Sequence, residues 1–173
     1  MPTVRLVLLL VLTAPTACAT CPEPAATTAP TATTPTANAS DARAAVEAVL
    51  DDWHAAAAES DLPRYLGHLT PDAIFLGTDA TERWTVDQLR AYAEAPFAAG
   101  RGWRMRAIRR AVVVRGDVAW VDEDLDAVNL GPARGRGVLV HDDGVWRIAH
   151  YDLAVTVPNE RFEAFRAAVA LPE

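Results

Sequence analysis

Apolar and polar positions follow a helical period up to about residue 100 and a strand period after it. Val46, Leu50 and Trp53 recur three or four positions apart and predict an amphipathic helix, which Ser40 or Asp41 caps. The predicted helices are residues 43–59, 62–69, 85–95 and 160–169, and the predicted strands are residues 73–76, 104–115, 118–128, 134–141 and 145–155. This order predicts an α+β domain in which helices precede a run of antiparallel strands.

Two short turns set the expected register of the strands. Gly116-Asp117 and Asp143-Gly144 each form a two-residue loop between apolar runs, and Asp-Gly is the stronger hairpin signal. The facing pairs expected from these loops are Arg110 with Glu123, Arg109 with Asp124, Leu139 with Ile148, His141 with Trp146, Gly137 with His150 and Gly135 with Asp152. The two glycines should leave open space above His150 and Asp152, and Pro96 should end the third helix.

Three segments carry the most specific sequence patterns: residues 75–84, where a strand ends at a glycine and a polar loop leads to Trp84, residues 116–123, and residues 146–159. Together they resemble the SnoaL-like branch of the nuclear transport factor 2-like superfamily. The resemblance implies a cystatin-like cone, with N-terminal helices packed on a curved antiparallel sheet around a pocket. It also implies a homodimer that pairs through the sheet. It leaves the activity open, because this fold serves enzymes and binding modules alike.

If alternate strand residues line a pocket, the last strand supplies the candidate catalytic groups. His150 and Asp152 lie two positions apart, and Asp124 is a further candidate carboxylate. A histidine beside a carboxylate in a dry cavity can transfer protons, as in isomerases and dehydratases of this superfamily. The candidate pocket-binding residues are Trp53, His54, Asp79, Trp84, Trp120, Asp122 and Tyr151.

Each candidate also has a structural explanation. Asp79 suits a turn or a helix cap, Trp84 suits core packing, and His54 suits a helix edge. Residues 122–124 face arginines across the hairpin and suit a salt-bridged solvent face or dimer surface, where each ion pair contributes only about 0–1 kcal/mol. His150 suits a structural polar position as well as a proton carrier.

The N-terminal residues predict export. Residues 1–17 contain Arg5 and then an apolar run too short to span a bilayer, which is typical of a signal peptide. Cys18 follows small residues and resembles the lipidated cysteine of a bacterial lipoprotein; ordinary signal-peptidase cleavage is the alternative. Residues 18–40, rich in Ala, Thr and Pro, predict a flexible tether to a domain at residues 41–173. The expected location is the cell envelope, as a membrane-anchored lipoprotein, or else the periplasm or the exterior.

Composition narrows the function classes. The net charge is −7 and all 16 basic residues are Arg, so no nucleic-acid partner is expected. The four histidines lack the spacing of metal ligands, and neither a metal nor a cofactor is expected. We therefore expect an exported domain that binds a small, partly apolar molecule, or an accessory envelope module, with no assured catalysis. The alternatives are a cofactor-free isomerase, dehydratase or cyclase that uses His150 with a carboxylate, and a purely structural domain whose own side chains fill the cavity.

Overall fold

The computed structural model describes residues 36–170, with side chains from residue 39 onward. The helices are α1 (Thr36–Glu59), α2 (Leu62–Gly67), α3 (Val86–Ala98) and α4 (Phe162–Val169), with a 3-10 turn at Asn159–Arg161 before α4. The strands are β1 (Leu69–Leu76), β2 (Arg83–Thr85), β3 (Met105–Arg115), β4 (Val118–Ala127), β5 (Gly131–Asp142) and β6 (Val145–Val155). The predicted element order is confirmed, with β2 as an addition.

The export signal and Cys18 lie outside the described residues. In the described part of the chain, no helix combines the length and the apolar character needed to cross a bilayer.

The strands of the described region form one six-stranded sheet in the order β2-β1-β6-β5-β4-β3. Neighbours are antiparallel except β1 and β6, which are parallel. Helix α1 packs against β3 and β6, so we call this side of the sheet the inner face and the opposite side the outer face. Val46, Leu50 and Trp53 of α1 are fully buried. The predicted apolar stripe and the α+β cystatin-like fold class are therefore confirmed.

The largest differences between predicted and observed helix boundaries concern α1 and α3, while α2, the start of α3 and the start of α4 differ by one or two residues. Helix α1 begins at Thr36, several residues before the expected cap, and α3 continues to Ala98 beyond Pro96. Pro96 lies in the last turn, where its missing N–H removes only one helical hydrogen bond. The N–H of Ala99 then closes the helix by donating to the carbonyl of Ala95 at 3.2 Å.

A bulge in β6 decides which of its side chains enter the core. Leu139 faces Ile148 as predicted, but the next residue of β5, Val138, faces His150, so Ala149 is an extra residue in β6. Successive side chains of a strand point to opposite faces, so one extra residue exchanges the faces of everything after it. The second half of β6 is therefore turned over relative to the predicted register.

The residues after the bulge show this exchange directly. Tyr151 and Leu153 lie on the inner face with exposed fractions of 1% and 8%. His150 and Asp152 alternate with them and lie on the outer face. The hairpin of β3 and β4 keeps the predicted register, including the pair Arg110–Glu123, because its own bulge lies at the far end.

The pairs predicted for Gly135 and Gly137 are consequently wrong. Gly135 faces Leu153 and Gly137 faces Tyr151. A Cβ atom on Gly135 would lie 1.9 Å from the hydroxyl oxygen of Tyr151, and one on Gly137 would lie 3.1 Å from its ring. The space that these glycines leave is therefore occupied by Tyr151, and His150 does not use it.

The close approach of Gly135 to Tyr151 gives a first prediction. Gly135→Ala should destabilise the fold by about 1–3 kcal/mol, because the new methyl group must displace the Tyr151 ring. Gly67→Ala is the matched control, since a Cβ atom on Gly67 in α2 meets nothing within 4 Å; it should be neutral or stabilising by up to about 1 kcal/mol. Urea denaturation measures both. Equal effects of the two substitutions would contradict the assigned packing.

Candidate functional site

One buried carboxylate gathers polar groups from three elements on the inner face. Glu123 of β4 is fully buried. Its Oε2 lies 2.9 Å from Nε2 of His54 and accepts a hydrogen bond from the Tyr151 hydroxyl at 2.9 Å. Its Oε1 accepts a hydrogen bond from Nε of Arg110 at 2.5 Å. Nη1 of Arg110 donates to Asp51 at 2.8 Å and so links the group to the surface. We call Glu123, His54, Tyr151 and Arg110 the Glu123 cluster.

These contacts favour the ionised form of Glu123. Burial raises the pKa of its carboxyl, but the hydrogen bond from His54 and the positive charges beside it outweigh burial, so the pKa of Glu123 lies below its ordinary value. Burial and the Glu123 charge hold the pKa of Tyr151 well above its usual range. Since a carboxylate only accepts hydrogen bonds, we assign the shared proton of the His54 contact to Nε2. The cluster thus ties α1, β3 and β6 to one carboxylate of β4, while Nδ1 of His54 and Nη2 of Arg110 are buried without a hydrogen-bond partner among the described residues.

The cluster is closed off from open space by Trp53. This ring is fully buried. It contacts Tyr151 edge-on with centroids 4.6 Å apart and stacks on Tyr65 at 5.1 Å. His54 and Tyr151, predicted as pocket-binding residues, therefore serve the core together with Trp53.

The predicted acid/base residues lie elsewhere, on the outer face. His150 and Asp152 border an open groove of about 630 Å³ together with Trp120 and Asp122. Asp152 accepts a hydrogen bond from Arg136 at 3.1 Å. Within the described residues, the His150 imidazole makes no hydrogen bond or ion pair. The expected His150–carboxylate pair is thus not assembled, because the bulge turns both side chains away from the helices.

Asp124 and its neighbours form ion pairs across the outer face. Asp124 accepts hydrogen bonds from Arg109 at 2.8 Å and from Arg134 at 3.1 Å, and these hydrogen bonds hold the pKa of its carboxyl below the ordinary value. Asp122 accepts a weaker contact from Arg109 at 3.3 Å. The salt-bridged explanation of residues 122–124 therefore fits the two aspartates, while Glu123 between them points into the core.

Asp79 stabilises a turn. Its Oδ1 accepts hydrogen bonds from the N–H and the hydroxyl of Thr81 at 2.8 and 2.6 Å. These two hydrogen bonds lower the pKa of the Asp79 carboxyl. Asp79 is exposed, and it orders the loop between β1 and β2 without lining a pocket.

The open space of the inner side is a cavity of about 220 Å³ bordered by α2, α3, the loop after β1 and the ends of β3, β4 and β6. We call it the aromatic cavity, because five rings line it: Tyr65, Phe75, Trp84, Tyr92 and Trp103. Apolar side chains of Met105, Ala127 and Leu153 complete its walls, and Glu82 and Arg104 bring charges. It can hold a small molecule with an apolar body.

Tyr65 borders the cavity with its ring, but its hydroxyl does not face the open space. Tyr65 is 1% exposed, and its hydroxyl is one of five buried side-chain polar atoms that have no hydrogen-bond partner in the described structure. Burial raises the pKa of this phenol, so the hydroxyl keeps its proton. Leaving such a donor unsatisfied costs about 1–3 kcal/mol.

Sequence reasoning found only part of this cavity. It singled out Trp84, which lines the cavity, and it missed Tyr65, Tyr92 and Trp103. These rings come from α2, α3 and the segment before β3. The sequence does show that most aromatic residues before residue 110 fall on different elements. No local spacing, however, indicates that their rings meet at one cavity. Within residues 36–170, no group of three or more His, Cys, Asp or Glu side chains is placed to hold a metal ion.

Comparison with known proteins identifies the family of this chain. The family model described as a SnoaL-like domain matches residues 46–158. The chain belongs to the SnoaL-like family. No protein of curated function matches this SnoaL-like chain significantly.

Solved structures of similar fold are remote in sequence. A cystatin-like protein of unknown function from Nostoc punctiforme is 17% identical, with a TM-score of 0.58 over 66% of this chain and 90% of that one. A nuclear transport factor 2-like protein of unknown function from Pseudomonas putida is 15% identical, with a TM-score of 0.60 over 70% and 91%. A proposed scytalone dehydratase from Novosphingobium aromaticivorans is 14% identical, with a TM-score of 0.60 over 68% and 85%. At these identities the likeness concerns the fold alone.

The Glu123 cluster of this SnoaL-like domain predicts that substitutions at the adjacent residues 122 and 123 differ strongly in their effect on stability. Glu123→Gln should destabilise the domain by about 3–5 kcal/mol, because it removes the buried charge that faces Arg110 and leaves only the exposed Asp51 as its counter-charge. Asp122→Asn removes a charge from the next residue of the same strand, on the outer face, and should change stability by about 1 kcal/mol or less. Chemical denaturation checks both, and a small effect of Glu123→Gln would disprove the structural role of the cluster.

Contacts at the junction of α1 and α2, the helix that carries Tyr65, predict that the stability of the domain depends on pH. Asp52 of α1 accepts hydrogen bonds from Arg64 and from Nε2 of His68, the latter at 2.7 Å. These contacts lower the pKa of Asp52 from 3.8 to about 2. In the unfolded chain the group titrates near its ordinary value of about 4. The contribution of Asp52 to stability is therefore present above about pH 4 and is lost as the pH falls towards 2.

Asp52→Asn should remove that contribution. We expect a loss of about 1 kcal/mol or less near pH 6, because the side chain is 43% exposed and solvent screens the ion pair. The difference from the unchanged protein should shrink towards pH 2, as measured by thermal melts across pH 2–7. Asp72→Asn is the control, since exposed Asp72 has no side-chain partner in the described region. A deficit of Asp52→Asn that does not depend on pH would contradict the assignment.

Proposed function

We propose that this SnoaL-like domain binds a small, partly apolar molecule in the aromatic cavity. The observation that carries the proposal is a cavity of about 220 Å³ that five aromatic rings line. Ligand sites in proteins are mostly apolar concavities with a few placed polar groups, and this cavity has that composition, with Glu82 and Arg104 as its charged residues. Its volume is below the roughly 300–1,000 Å³ of sites for drug-sized ligands, which restricts the ligand to about the size of one ring.

The chemistry of the walls supports the same function. Five aromatic rings offer flat apolar contacts. A bound molecule that buries an apolar body against Trp84 and Trp103 gains from the removal of apolar surface from water. The apolar body therefore supplies most of the affinity.

The acid/base alternative stays a prediction without support from the site geometry. It requires His150 inside a cavity beside a carboxylate, whereas His150 borders the outer groove. Export, a lipid anchor at Cys18 and homodimerisation through the sheet also stay predictions, and they are compatible with a ligand-binding role.

Acetophenone tests the proposal, because it combines an aromatic ring with one carbonyl acceptor. It should bind the protein, and Ala127→Leu should abolish binding by filling the cavity from β4. The matched control is Ala154→Leu, which adds the same side chain at a half-buried position of β6 that faces Arg134 on the outer side of β5; it should leave affinity unchanged. Ligand-observed NMR titration gives the affinities, and thermal melts confirm that both variants fold.

Tyr65→Phe tests the unpartnered hydroxyl. This variant should be at least as stable as the unchanged protein in thermal melts, because it removes an unsatisfied buried donor. If Ala127→Leu still binds acetophenone, the assignment of ligand binding to the aromatic cavity is wrong.

A further inference from the structure

The rings of the aromatic cavity form a continuous arc. Each ring contacts the next: the centroid distances are 6.0 Å for Phe75–Trp84, 4.3 Å for Trp84–Tyr92, 6.0 Å for Tyr92–Trp103 and 5.5 Å for Trp103–Tyr65. Trp53 contacts both ends of the arc, at 6.4 Å from Phe75 and 5.1 Å from Tyr65. Aromatic faces are negative, and a cation within about 6 Å of a ring centroid is attracted to them. A guest in this cavity therefore lies among several rings, and each ring face that it contacts attracts positive charge.

A carboxylate lies beside these rings. Glu82 lines the cavity and is half-buried, and no arginine or histidine in the described region forms an ion pair with it. Its Oε2 accepts the N–H of Asp79 at 3.1 Å. The Glu82 carboxylate fits here because residue 77 is a glycine. A Cβ atom on Gly77 would lie 2.1 Å from Oε2 of Glu82. The fold thus holds an uncompensated negative charge against aromatic surface.

Arg104 is the positively charged residue of the cavity lining and opposes the charge of Glu82. It is exposed and has no side-chain partner in the described region. Water and salt screen an exposed guanidinium more strongly than the half-buried carboxylate of Glu82. The net charge of −7 adds to the same negative potential. Glu82 therefore contributes more than Arg104 to the field inside the cavity.

We propose that the aromatic cavity selects an organic cation, a small molecule that carries an alkylated ammonium group. This inference rests on the proposed function of the cavity. The ammonium group lies against the rings and Glu82, where cation–π and ionic attraction act together.

Three probes of nearly equal shape test the charge of the guest. Choline is the cation, 3,3-dimethylbutan-1-ol is its neutral isostere, and 3,3-dimethylbutanoate is an anion of the same branching. Isothermal titration calorimetry with the full chain should give at least about fivefold tighter binding of choline than of the alcohol, the value of a partly desolvated cation–π contact. The anion should bind most weakly.

Variants assign the selectivity to Glu82. Glu82→Gln should remove most of the preference for choline and leave the alcohol unchanged. Gly77→Ala keeps the carboxylate but displaces it, and it should act in the same direction. Glu94→Gln is the matched control, because Glu94 is an exposed acid of α3 outside the cavity lining. Arg104→Gln should strengthen choline binding.

The outcomes separate this inference from the proposed function. If acetophenone binding is blocked by Ala127→Leu but choline binds no better than the alcohol, the cation inference is overturned and the cavity assignment stands. Tightest binding of the anion, or choline affinity that Glu82→Gln leaves unchanged, also overturns it. If none of the probes, acetophenone included, binds the protein, the proposed function fails and the cation inference fails with it.

Discussion

The buried carboxylate of Glu123 is the contact on which the rest of the domain depends. It receives hydrogen bonds from β6 and β3 through Tyr151 and Arg110, and from α1 through His54, so three elements converge on two oxygen atoms of β4. A buried charge is tolerated only when its partners are complete. The position of the first helix on the sheet and the position of the last strand are therefore set by one side chain.

The bulge in β6 follows from this requirement. Without the extra residue at Ala149, His150 would enter the inner face and Tyr151 would leave it, and Glu123 would lose one of its donors. Gly135 and Gly137 make the inward position of Tyr151 sterically open, since any side chain on Gly135 would collide with the Tyr151 hydroxyl. The bulge, the glycines and the carboxylate form one consistent arrangement.

This arrangement also determines where the open space lies. Trp53 packs between Tyr151 and Tyr65 and separates the Glu123 cluster from the aromatic cavity. The unfilled volume borders Tyr65, and neither Trp53 nor any member of the Glu123 cluster lines it. The proposed binding role uses this volume, which lies apart from the cluster.

Local pattern by itself determined the order of the elements, the apolar stripe of α1 and the register of the β3–β4 hairpin, since each depends on neighbours close in the chain. It also indicated the family, through segments such as residues 75–84. It could not determine that Glu123 is the core member of an acidic run, or that His150 points outward. The orientations of Glu123 and His150 depend on which side chains from distant segments contact a buried charge. Only the tertiary structure determines them, because the energy of that charge depends on partners from α1, β3 and β6. No local sequence period predicts that these three elements meet.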